Sequence, residues 1–174
     1  MKILVLIASF AIPALACGQG TTSSPEPRQH QSTSDQNAVG VDARGDHAMG
    51  FSHQSSTHHF RLLSDGGAIQ VSANDPKDTA TRDEIRMHLS HIAKMFAEGD
   101  FQVPMFIHDT VPPGVPVMKA NRSAIVFTFE PTPDGGRVRI ASANTNAIDA
   151  IHQFLAFQID DHRTGDSKVV APLR

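Results

Sequence analysis

In the stretch TATRDEIRMHLSHIAKMFAEGD, Glu84, His88, His91 and Met95 recur at i, i+4, i+7 and i+11. On a helix that spacing aligns them along one flank of an apolar stripe made by Ile85, Leu89, Ile92 and Phe96. Imidazole suits copper and zinc, thioether suits copper(I), and carboxylate suits zinc or iron, so the flank offers donors of mixed softness to one transition ion. Histidines three residues apart on a helix are surface neighbours and can reach the same ion. The plainer alternative is that His88 and Met95 pack while Glu84 and His91 are solvated.

A second concentration lies in GDHAMGFSHQSSTHHF, residues 45–60, which holds His47, His53, His58, His59 and Met49. Strand alternation separates the two neighbours: His58 turns inward with Phe60 and Leu62, and His59 outward with Arg61. The local density of imidazoles therefore overstates the number available to one ion. His58 sits at the open end of its strand and could turn toward a helix-borne partner such as His88. The candidate metal set is His58, Glu84, His88, His91 and Met95, with copper or zinc as the ion. His152 is expected to be a core histidine, and His108 and Asp109, adjacent on extended chain, to diverge. No Gly-rich phosphate loop, GxSxG elbow, HExxH helix or kinase motif set occurs. The DGG sequences read as hairpin turns.

These residues must be held by elements that appear twice. THHFRLLSDGGAIQVSAND precedes the helix above, and SAIVFTFEPTPDGGRVRIASAN precedes TNAIDAIHQFLAFQIDDHRTGD. Each reads as hairpin then helix. A turn centred on Asp65-Gly66 pairs Leu62 with Ile69 and Phe60 with Val71, all on one face. A turn at Pro133-Asp134 pairs Phe129 with Val138 and Phe127 with Ile140, and sets Glu130 opposite Arg137. The first helix should run from a cap at Asp78 or Thr79 to Gly99, the second from Asn144 to about His162 with Ile148, Ile151, Leu155 and Ile159 inward. Two hairpins and two helices, each with one apolar face, predict a two-layer α+β fold: a four-stranded antiparallel sheet with two helices on one face, built from two ββα repeats. Between them, residues 101–122 carry four prolines, which predicts extended or turning chain with a short edge strand at Met105–Ile107.

The chain opens MKILVLIASFAIPALACGQG, a lysine and an apolar run too short to span a bilayer, followed by small residues. That reads as a signal peptide over residues 1–16, with the single cysteine, Cys17, as a lipidation site in the manner of a bacterial lipoprotein. Residues 17–46, rich in Ser, Thr, Gln, Gly and Pro, read as a disordered tether. Residues 47–166 form one domain, and 167–174 a frayed tail. A net charge of -3 with dispersed Lys and Arg argues against nucleic acid as a partner, and membrane contact is expected only through the lipid anchor.

The elements MGFSH, THHF, DGGAIQV, RMHLSHIAKMF, PMFIHD and FLAFQIDDHRTGD resemble a family of exported bacterial α+β domains over nearly all of residues 45–166. No activity is associated with that family, so the resemblance implies no functional residue. Together these readings describe an exported, envelope-located, periplasm-facing binding domain without catalysis, with a transition-metal ion as its most concrete ligand. Two alternatives stand: a module that binds another envelope protein, and a small His/Asp-dependent hydrolase or isomerase.

Overall fold

The computed structural model describes residues 33–172, with side chains from residue 39 onward. The expected signal peptide, Cys17 and the first half of the expected tether lie outside the described residues. Elements follow in the order α1 (Thr33–Met49), β1 (Ser56–Leu63), β2 (Gly66–Ala73), α2 (Thr79–Ala97), α3 (Gln102–His108), α4 (Val115–Ala120), β3 (Ile125–Thr132), β4 (Gly135–Ser142) and α5 (Thr145–Asp161). The four strands make one antiparallel sheet in the order β1-β2-β4-β3, and the fold is α+β.

The second hairpin has the expected register, Phe129 opposite Val138 and Glu130 opposite Arg137. The first is shifted by two residues: Phe60 faces Ile69 and His58 faces Val71, because the two-residue turn is Ser64-Asp65. A shift of two leaves every side chain on its own face, so Phe60, Leu62, Ile69 and Val71 still point into the core with Val138 and Ile140. Asp78 caps α2 by accepting from the Thr81 N–H at 3.0 Å, and Asn144 caps α5 by accepting from the Ala147 N–H at 3.1 Å. Ile85, Leu89, Ile92 and Phe96 of α2 and Ile151, Phe154, Leu155 and Ile159 of α5 are buried.

Each long helix covers the hairpin it does not follow. α2 packs chiefly on β3 and β4, and α5 on β1 and β2. Arg86 of α2 donates to the carbonyls of Thr132 and Gly135 at the second turn, at 2.5 and 3.0 Å. His152 of α5, expected in the core, is instead half-buried at the sheet margin, where it meets the Leu63 carbonyl at the first turn at 2.9 Å. Gly67 lets α5 come this close, since a Cβ there would lie 2.1 Å from Leu155 Cδ1.

Three segments depart from the sequence reading. Thr33–Met49, expected to be tether up to residue 46, is a helix despite Gly40 and Gly45, each costing about 1 kcal/mol against alanine. Packing supplies what propensity withholds: Val41 is buried, α1 lies against α3, and Arg44 Nε donates to the Ile107 carbonyl at 2.7 Å. The proline-rich segment holds two short helices in place of an edge strand. Pro104 and Pro116 fall in their first turns, where a missing N–H has no intrahelical acceptor to lose. Gly114, at φ +82°, brings the second of them against α5, and a Cβ there would sit 2.0 Å from the Ala150 carbonyl. The tail is pinned as far as Ala171, which bridges to Leu63 by bonds with the Leu62 carbonyl and the Ser64 N–H, at 2.9 and 3.0 Å. Asp166 accepts from the Phe60 N–H at 2.9 Å along the same edge.

Candidate functional site

Five elements bring polar side chains to one end of the core. β1 contributes His58, α2 His88, α3 His108, the end of α1 Met49, and the last turn of α5 Gln158 and His162; all six line a cavity of about 60 Å³ whose remaining wall is apolar. His58 and His162 lie with ring centres 5.6 Å apart and planes within 7°. His162 meets His108 edge-on at 5.0 Å. Phe51 contacts both His58 and His88, at 6.5 and 5.8 Å, and so closes the other side of the row.

The alternation of β1 turns His58 to the helix side, as expected. Of the four candidates on α2, only His88 lines the cavity, beside the apolar Leu89, Ile92 and Phe96. At about 100° per residue, Glu84 and His91 sit roughly 40° and 60° further from the apolar stripe than His88 does, and both are exposed. Met95, two turns beyond His88, is half-buried and does not line the cavity. The candidate set of His58, Glu84, His88, His91 and Met95 is therefore divided, with His58 and His88 brought together and the other three left outside. Among the described residues, no group of three or more His, Cys, Asp or Glu side chains is placed to hold a metal ion. His108, His162, Gln158 and Met49 were not in that set. Residues 101–108 read as non-helical, which hid the inward aim of His108, and His162 read only as the end of a helix.

Burial holds three imidazoles in the neutral form. His58 is lowered to about 4 by burial first, then by the nearby His88, His59 and His53. His88 is lowered to about 4 by burial and by His91. His162 is lowered to about 3 by burial, then by His58 and His108. No hydrogen bond joins these three rings to a protein group among the described residues; all three residues are half-buried, and their ring nitrogens are not among the enclosed unpartnered atoms.

His108 differs. It is 5% exposed, and its Nδ1 meets Asp161 at 2.5 Å while Nε2 lies 2.8 Å from Gln158 Oε1. Both ring nitrogens thus face acceptors; reversing the Gln158 amide would let its NH2 donate to Nε2 instead. In the orientation given, Nε2 of this 4% exposed amide has no partner. The expected neighbour Asp109 leaves α3 in the left-handed conformation, exposed, and takes no part. A carboxylate–imidazole pair can orient a general base, but here the second nitrogen is already covered by Gln158. The lining offers imidazole, thioether and amide, without hydroxyl, thiol, amine or carboxylate.

A larger groove, about 580 Å³, opens on the outer sheet face between Arg61, Gln70, Arg139 and the tail. Much of its charge is matched, Arg137 with Glu130 and Arg139 with Asp65. No protein-family model, curated protein or solved structure matches the chain.

Proposed function

We propose that this chain is a small, exported, non-catalytic binding domain that takes one copper or zinc ion in the histidine-lined cavity. The observation that carries this reading is that the imidazoles of His58, His88 and His162 line one cavity with the Met49 thioether, although as they stand no three such side chains among the described residues are grouped around one point. Neutral imidazole is the ligand form, and a ring that spends its lone pair on no protein donor keeps it for an ion. The site lies off the flank of α2, so His91, Glu84 and Met95 are not its donors. Binding should turn the rings toward a shared point.

Metal content after equilibration and dialysis tests this. Wild type should retain about one equivalent with sub-micromolar affinity, His58→Ala and His162→Ala should lose at least ~10-fold in affinity, and His91→Ala should bind as wild type. Absence of such binding in wild type, or wild-type binding in both cavity variants, would overturn the site.

Anchoring is proposed on the position of Cys17 directly after Ala14-Leu15-Ala16. Expressed with its leader in a bacterium, the protein should fractionate with membranes, and Cys17→Ser should release it or stall its processing. A wild-type protein recovered wholly in the soluble envelope fraction would remove the anchor. The outer groove favours a second reading, recognition of another envelope protein by the sheet's polar face.

A further inference from the structure

We infer that the ion taken by this cavity is monovalent and soft, copper(I), held by His58 and His162 with the Met49 thioether as third donor; this rests on the metal-binding reading above. The first ground is charge. No carboxylate or thiolate lines the cavity, and the nearby carboxylate of Asp161 is engaged by His108. The cost of burying an ion in an apolar medium rises with the square of its charge, so a divalent ion without an anionic donor costs about four times what a monovalent one does. Phe60, Phe96 and Phe154 on the wall make the medium apolar.

The second ground is coordination number. Zinc in proteins takes four donors, and no three-fold group of His, Cys, Asp or Glu is placed for it among the described residues. Two imidazoles bound to one ion, with bonds near 2.0 Å, put their ring centres about 5 to 6 Å apart. His58 and His162 stand at that spacing, 5.6 Å, but stacked with planes within 7°, so their nitrogens must turn toward the ion as it binds. The third ground is donor type: imidazole suits copper and zinc alike, and it is the thioether that selects copper(I), which Met49 supplies from the end of α1, packed against the core.

The full-length mature protein, titrated without oxygen against a chromophoric copper(I) chelator, should retain one equivalent of copper(I), and silver(I) should compete for it. Zinc(II) and copper(II) should bind at least ~100-fold more weakly. Met49→Leu, which conserves volume, should weaken copper(I) about tenfold with the urea midpoint unchanged. Zinc or copper(II) bound as tightly as copper(I) would overturn the charge argument and leave the binding reading standing. No metal of any kind would sink both. Copper(I) binding indifferent to Met49→Leu would remove the thioether from the set.

Discussion

Metal-free protein brought from pH 7 toward pH 4 should lose stability steeply, beginning near pH 6.5. An unfolded histidine titrates at 6.5, whereas in the fold His58 and His88 titrate at about 4 and His162 at about 3. Between those values the unfolded chain binds protons that the native chain refuses, so stability falls as pH falls. Each such group contributes a slope of about 1.4 kcal/mol per pH unit within its window. The groups around them add to the cost of a proton there, since His53, His59, His91 and His108 all lie close. Two carboxylates act in the same direction at lower pH. Asp166 is raised by burial but lowered more by hydrogen bonds from the Phe60 N–H, Thr164 and His59, and Asp78 is lowered by the backbone and side chain of Thr81. Their contributions are present above pH 3.8 and are lost only below it. Urea midpoints measured with a chelator present, every half unit from pH 7 to pH 4, should decline through the whole histidine window. A flat midpoint from pH 7 to pH 4.5 would refute the account, and His162→Phe should make the decline shallower.

Truncating Phe101 should cost about 3–5 kcal/mol, the range for a large aromatic removed from a core. Its ring is 1% exposed and packs at 4.4 Å on Phe96, at 6.2 Å on Phe154 and at 6.4 Å on Phe127. It also stands immediately before α3, so the cavity left by Phe101→Ala lies under the helix that aims His108. Phe106→Ala, at a 50% exposed position on the same helix, should stay within about 0.5 kcal/mol of wild type. Urea denaturation of both variants decides the matter, and a loss below 1 kcal/mol for Phe101→Ala would mean the neighbouring rings close the gap.

The parts of this fold that the sequence disclosed are those where local rules and tertiary packing agree. Alternation through Phe127–Phe129 and Val138–Ile140, and the caps Asp78 and Asn144, lead to the sheet and the two long helices without reference to anything distant. The first hairpin shows the limit. Ser64-Asp65 and Asp65-Gly66 are both plausible turn centres, and the apolar pattern cannot choose between registers two residues apart because both put Phe60 and Leu62 inside. α1 was illegible because glycines at 40 and 45 argue against a helix, and only its contact with α3 overrides them. Pro104 and Pro116 misled for a related reason: a proline excludes a helix interior, while its position relative to a helix start is not written in composition. The site was half legible. β1 alternation placed His58, and the α2 stripe placed His88. His108 and His162 depended on where α3 and the end of α5 meet, a distance of more than fifty residues along the chain, and no local spacing encodes that.

The crossing of α2 and α5 over each other's hairpins makes the chain two interlocked halves. A ββα segment cut out alone would expose the inner face of its own hairpin and the apolar stripe of its own helix, because the cover for each is in the other half. The link between the halves runs through Asn121–Ala124, largely exposed and lacking buried side chains. A single nick there would leave every layer of the core in place, and because each half carries the other's cover, two fragments separated at that point are expected to order only in each other's presence.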